Sequence, residues 1–197
     1  MNPNPYLEDP DVILFLEFQK GDSSAFETLM KKYFKRILNF INRFIGNSSI
    51  AEDLTQEVFI RVYNSVRSYQ PQAKFQTWIF KIARNVSLNE LRKHKPNMVS
   101  LDEVWEVEDS EVKRQVQDLS LSGPDKDILE DERLKVIEAA INSLPENQRT
   151  VILLRRYDEF SYEDIAHTMN CSVEAVKSLL SRARENLKLR MARFFKE

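Results

Sequence analysis

Glycine occurs only three times in the 197 residues, at Gly21, Gly46 and Gly123. Sheets joined by tight hairpins need glycine at the positive-φ positions of their turns, so a chain this poor in it is steered away from them. There is also no glycine-rich loop to cradle a phosphate. Leu, Glu, Lys, Arg, Ile and Val are plentiful instead, with apolar residues recurring at three- and four-residue steps. The expected fold is all-α.

Helix signals divide the chain. Asp11 to Lys20 reads as a short helix stopped by Gly21. Ser24 with Glu27 forms a capping-box pattern opening a second helix, Ala25 to Ile45, and Gly46 ends it. Ser49 with Glu52 repeats the signal for Ile50 to Val66, and the polar loop Ser68 to Gln76 leads to a fourth helix ending near Pro96. These four helices form one domain, 1–96. From Asn97 to Asp127 periodicity weakens, acids cluster from Asp102 to Glu111, and Ser122, Gly123 and Pro124 interrupt, as in a flexible acidic linker.

A second domain, 128–197, opens with a helix over Ile128 to Ser143. Pro145 and Glu146 sit in the first turn of the next, which runs to Tyr157. Ser161 and Asp164 open a short helix, Tyr162 to Met169, and Ser172 caps a longer one, Val173 to Lys188. Asn170 fills the turn between them because Asn tolerates positive φ. Ile165, Ala166 and Met169 face Val176, Leu180, Ala183 and Leu187 across that turn, so the pair reads as a helix-turn-helix.

The formal charge of −2 conceals a pattern: +4 over 1–96, −9 over 97–132 and +3 over 133–197. Two basic blocks flanking an acidic connector suit a nucleic-acid partner. Cys171 is the sole cysteine, which excludes an internal disulfide and suits a reducing cytoplasm. With only His94 and His167 beside it, no zinc or other metal site is expected, nor any cofactor. Val12 to Phe18 is short and broken by Glu17, and the first residues lack a signal-peptide pattern, so no membrane insertion is expected. Without a nucleophile pair, metal cluster or phosphate loop, an enzyme acting on nucleic acid has no support.

Three helix faces invite partners. On the third helix Asp53, Gln56, Glu57, Ile60 and Asn64 line one edge, while Leu54, Val58, Val62 and Val66 form the core stripe. The like-charge pair Asp53–Glu57 costs a few tenths of a kcal/mol and Glu57–Arg61 recovers about as much, so the helix itself gains nothing. A basic partner protein gripping Asp53, Gln56 and Glu57 would explain the pattern; plain solvation is the alternative.

On the fourth helix Lys81, Arg84, Arg92 and Lys95, with Trp78 and Asn85, fall within about 60° of Lys81, opposite Ile79, Ile82, Ala83 and Val86. Glu90 is the only acid there, so phosphate is the better partner for these cations. Phe75, Trp78 and Phe80 are candidates for base stacking or for the core. On the last helix Glu174, Ala175, Lys177 and Ser178 lie in the part that enters a major groove, with Arg182 reaching a base or a phosphate.

Asp53-Leu-Thr-Gln-Glu-Val-Phe-Ile-Arg-Val-Tyr63, Phe75-Gln-Thr-Trp-Ile-Phe-Lys-Ile-Ala-Arg-Asn85 and Leu91-Arg-Lys93 resemble region two of the extracytoplasmic-function group of bacterial sigma factors. Leu144-Pro-Glu-Asn-Gln-Arg149, Ser161-Tyr-Glu-Asp-Ile-Ala166, Ser172-Val-Glu-Ala-Val-Lys-Ser178 and Arg182-Ala-Arg184 resemble region four. The resemblance covers residues 11 to 195 in family order and includes no third domain between the two. It implies a sigma factor that binds core RNA polymerase and directs it to promoter DNA. Asp53, Gln56, Glu57 and Arg61 would meet the β′ clamp helices, with further contacts to the β subunit. Tyr69 to Thr77 and Trp78 to Lys95 would recognise and melt the −10 element, and the last helix would read the −35 element. An anti-sigma protein is a further implied partner. Asn170 replaces a common Gly, and Leu179 replaces a frequent Arg and is left only to pack. The alternative from the residues alone is a stand-alone helix-turn-helix regulator, which leaves Asp53 to Tyr63 unexplained.

Overall fold

The computed structural model describes residues 4–93 and 136–194, and every regular element among them is helical. The first half comprises α1 (Pro10–Gln19), α2 (Ser23–Ile45), α3 (Ser48–Asn64) and α4 (Phe75–Lys93), with short 3-10 segments at Pro5–Glu8 and Val66–Ser68. The second comprises α5 (136–142), α6 (Glu146–Tyr157), α7 (Tyr162–Met169) and α8 (Val173–Phe194). The expected linker, Lys95, His94 and the start of the helix expected from Ile128 lie outside the described residues.

Two expected helix starts are corrected. Asp22, not Ser24, caps α2, accepting from the Ser24 amide at 2.9 Å. Asn47, not Ser49, caps α3, accepting from the Ile50 amide at 3.1 Å. Each Asx residue follows a left-handed glycine, Gly21 (φ 109°) or Gly46 (φ 75°), so its side-chain oxygen meets the first free amides and the serine arrives two residues too late. α1 likewise begins a residue early, at Pro10, where proline's missing N–H costs nothing and Asp9 supplies the cap. α3 stops at Asn64, short of Val66, and α8 continues past Lys188 to Phe194.

In the first half Phe15, Tyr33, Phe40, Phe44, Phe75 and Phe80 are fully or almost fully buried. Each such side chain stabilises the fold by roughly 1.5–3 kcal/mol relative to exposure. One carboxylate is buried among them. Asp11 accepts from Lys32 Nζ at 2.6 and 2.7 Å and from the Tyr33 hydroxyl at 2.6 Å, which compensates its desolvation and ties α1 to α2. Burial, then the bond to Asp11, pushes the Tyr33 phenol well above its ordinary value. In the second half Ile165, Ala166, Val176, Leu180 and Ala183 of the expected stripe are buried along with Val151 and Leu154, while Met169 and Leu187 at its ends are half-buried.

The two halves meet along a seam. Phe80 of α4 stands edge-on to Phe160, with ring centroids 5.0 Å apart. The Arg149 guanidinium on α6, 5% exposed, donates to the Phe44 carbonyl at the end of α2 at 2.6 Å and also holds the Asn142 and Leu144 carbonyls. Arg43 lies over the Tyr157 ring at 4.2 Å, and Arg36 pairs with Asp158 at 3.5 Å.

Asp158 makes this seam sensitive to pH. Burial pushes its carboxyl up to about 6, more than Arg36 and Arg43 pull it down. Separating the halves removes both arginines and admits water, returning the group toward the ordinary value near 4. The packed arrangement therefore holds the proton more readily. Packing is expected to strengthen as pH falls from 7 toward about 5, by about 1.3 kcal/mol over that window, and to weaken again as the carboxyl ionises. Energy transfer between dyes on α3 and α8 should show the compact population rising over that window, and Asp158→Asn should flatten the response.

Candidate functional site

The α3 edge is built as the pattern requires. Leu54, Val58 and Val62 are buried, which turns Asp53, Gln56, Ile60 and Arg61 to solvent and leaves Glu57 half-buried. Glu57 Oε1 accepts from Arg61 Nε at 3.0 Å and from Arg61 Nη2 at 2.6 Å. Being solvated, this pair adds little stability. What it does is hold a carboxylate and a guanidinium in fixed positions beside Ile60, 59% exposed, and Tyr63, 54% exposed. Tyr63 lies within the quoted Asp53–Tyr63 run but was absent from the expected face. Its ring leans on Phe18 and Phe26, at 5.4 and 5.5 Å, while staying open to solvent.

On α4 the question of stacking against core resolves by position. Phe75 and Phe80 are core, at 1% and 0% exposure. Trp78 is half-buried, packed against Phe15, Tyr69 and Phe75. Lys81, Asn85 and Arg92 are exposed. Arg84 differs from them: its Nη2 donates to Asn147 Oδ1 of α6 at 2.8 Å, and burial pulls its guanidinium below the ordinary value. Leu88 of α4 is also buried.

The other half covers this region further. Asp164 of α7 accepts from Lys74 at 3.1 Å and from Thr77 at 3.3 Å, and it receives the Ser161 hydroxyl at 2.8 Å while the Ser161 oxygen caps α7. Burial raises this carboxyl, but the bonds from Ser161, Lys74 and Thr77 outweigh it and leave it below the ordinary value. Sequence reading gave no role to Lys74 or Thr77 of their own, because their partners lie about ninety residues away. Between the two halves runs a cleft of about 970 Å³, with Tyr69, Gln72, Trp78 and Lys81 on one wall and His167 and Asn170 on the other.

α8 presents Glu174, Lys177, Ser178 and Arg182 to solvent and Ala175 half-buried, while Val176, Leu179, Leu180 and Ala183 pack inward. Leu179 thus packs, as its chemistry required. The turn before α8 has the expected geometry. Asn170 adopts φ 55°, ψ 50° and closes α7, and the Ser172 hydroxyl accepts from the Ala175 amide at 3.2 Å. Cys171 is half-buried there, and burial pushes its thiol up, away from the reactive thiolate form.

Comparison with known proteins meets this geometry at both halves. Residues 29–96 match the Sigma-70 region 2 family and residues 134–187 match Sigma-70, region 4. The RNA polymerase sigma-H factor of Pseudomonas aeruginosa is 34% identical over 182 residues, covering 90% of this chain and 92% of the relative. The chain belongs to the extracytoplasmic-function sigma factors. The ECF RNA polymerase sigma-E factor of Escherichia coli is 33% identical over 177 residues, covering 89% and 91% of the two chains. In fold, this sigma factor is similar to CnrH in complex with the cytosolic domain of CnrY, with a TM-score of 0.68 and 20% identity over 92% of this chain and 97% of the other. It also resembles the sigma factor RpoE of Bartonella quintana in complex with the anti-sigma factor NepR, at 0.62 and 24% over 85% and 96%. As a sigma factor the chain directs transcription initiation, and the matched region 2 gives its first half a place that a stand-alone regulator does not.

Asn170 offers a direct check on the helix-turn-helix. Its left-handed backbone penalises a Cβ without a short polar side chain, so Asn170→Ala is expected to lose about 1 kcal/mol. Asn170→Gly should not, and urea denaturation of the two variants separates them.

Proposed function

We propose that the three faces of this sigma factor divide the work of promoter opening as follows. α3 docks core RNA polymerase through Asp53, Gln56, Glu57 and Arg61 against the β′ clamp helices, with the β subunit nearby. The loop before α4 and the α4 residues Trp78, Lys81, Arg84, Asn85 and Arg92, continued by Lys95, take the −10 element. Glu174, Ala175, Lys177, Ser178 and Arg182 of α8 take the −35 element. The supporting observation is that each of these helices buries its opposite side in the core, so the polar side chains are held on rigid elements.

No chemical step belongs to this protein in that scheme. Extracting a base from duplex costs a few kcal/mol, and stacking returns roughly 1–3 kcal/mol per captured base. Trp78 beside Lys81 at the cleft is suited to such capture, with the cation meeting the strand's phosphate. Polymerase supplies the remaining contacts, so opening becomes favourable only in the assembled enzyme. The setting is the cytoplasm, where polymerase and promoter DNA are found. No helix among the described residues is long and apolar enough to cross a membrane.

The seam bears on this scheme. The −10 and −35 elements lie about 25 base pairs apart, on the order of 85 Å of duplex. α4 and α7 touch here, with Thr77 and Asp164 at 3.3 Å, and Lys74 just before α4 pairs with the same carboxylate at 3.1 Å. Reading both elements at once therefore requires the halves to part. The chain between 93 and 136, at about 3.3–3.6 Å per residue, has contour enough for that. An anti-sigma protein completes the partner set, as NepR does for the Bartonella quintana factor.

Asp53→Lys with Glu57→Lys should abolish binding to core polymerase while circular dichroism stays unchanged; retained binding would remove the docking assignment. Lys177→Ala or Arg182→Ala should weaken use of the −35 element by about 1–3 kcal/mol where a base contact is lost. Transcription from a promoter library measures this, and an unchanged preference would move the reading surface elsewhere on α8.

A further inference from the structure

The loop that precedes α4 crosses from Tyr69 to Lys74 without regular secondary structure, yet it must offer a fixed shape to a DNA strand. Among the described residues, the side chains that bond its backbone all come from the stretch ahead of α2. Gln19 Nε2 donates to the Val66 carbonyl at 2.7 Å and to the Tyr69 carbonyl at 3.4 Å. Asn4 Nδ2 donates to the Pro71 carbonyl at 2.8 Å. Asp9 Oδ2 accepts from the Phe75 amide at 3.1 Å and so caps α4, while its Oδ1 accepts from the Asp11 amide at 2.9 Å and caps α1.

These bonds pin the loop on both sides and near its middle. The Asn4 amide is oriented by its own second bond, since its Oδ1 accepts from the Tyr6 amide at 3.0 Å. Beneath them the Phe15 ring supports the same segment, with centroids 4.7 Å from Tyr69, 5.3 Å from Phe75 and 5.4 Å from Trp78. The bond from Gln19 to Val66 is solvent-exposed and the one from Asn4 is half-buried, so neither is a large stabiliser of the fold. Their effect falls on where the loop sits.

We propose that Asn4, Asp9 and Gln19 are positioning residues for −10 recognition: they clamp the loop from Tyr69 to Lys74 and the start of α4 in the shape that captures the opened strand. This rests on the assignment of that loop and α4 to the −10 element. None of the three lies on a face assigned to polymerase or to DNA, so the clamp acts on strand capture without touching either partner. Misplacing a reactive or binding group by about 1 Å can cost a hundredfold in rate, which sets the scale for what a loosened loop would do.

The test uses full-length protein in holoenzyme. Asn4→Asp keeps the oxygen that accepts from Tyr6 and removes the donor to Pro71; Gln19→Glu does the same to Val66 and Tyr69. The double variant is expected to bind core polymerase and form the closed complex as wild type does, but to open the promoter about tenfold more slowly, read by 2-aminopurine fluorescence in the −10 element. A template with that element already unpaired should restore most of the loss, which a folding defect would not allow. Asn4→Ala with Gln19→Ala removes the donors without adding charge, and carries the same expectation if the acidic pair unfolds. Trp78→Ala and Lys81→Ala run alongside. If these slow opening and neither clamp variant does, the clamp is overturned; if none of the variants changes opening, the assignment of the loop and α4 has failed first.

Discussion

Phe80 joins what would otherwise be two separate bundles. Its ring is fully buried, edge-on to Phe40 of α2 at 5.4 Å and to Phe160 of the second half at 5.0 Å, with the Arg36 guanidinium 5.4 Å from its centroid. α4 therefore belongs to two interfaces at once. One side completes the core of the first half, and another receives α7. The position of every cation on α4 follows from that constraint, because the helix cannot rotate to suit a ligand without uncovering an aromatic ring on one side or the other.

The contacts around this ring divide by chemistry. Aromatic packing and the buried Arg149 guanidinium contribute affinity between the halves. The ion pairs Arg36–Asp158 and Lys74–Asp164 and the bond from Arg84 to Asn147 fix orientation while contributing less. The polar contacts also occupy residues proposed to meet the promoter. Lys74, Thr77 and Arg84 can serve the seam or the strand, so the compact arrangement and the promoter-bound one compete for the same side chains.

What the sequence makes legible follows from range. α6, α7 and the start of α8 lie where Pro145, Ser161, Asn170 and Ser172 indicate, because helix caps and a left-handed turn are decided within a few residues. The starts of α2 and α3 were misplaced because Ser with Glu at three-residue spacing looks like a cap even when an Asx two residues earlier has taken the role. The three proposed faces could be drawn from periodicity, since a buried stripe implies its opposite. Asn4, Asp9, Gln19 and Asn147 could not, since their partners lie some 47 to 67 residues away in sequence and no local pattern marks them. Asp9 caps α1 through Oδ1 and α4 through Oδ2, and the second of these joins residues 66 apart.

The mixed character of the seam reaches into how this protein would respond to ionic strength. Salt weakens attraction between cations and phosphate, and affinity for DNA ordinarily falls steeply as counterion release becomes less favourable. The same salt screens Lys74 from Asp164 and Arg36 from Asp158, loosening an arrangement that competes with DNA for Lys74. The two effects oppose each other. A count of the cations in the loop before α4 and on α4 itself would thus overstate the steepness of the salt dependence, and the shortfall would measure how much of the Lys74 charge was already spoken for within the protein.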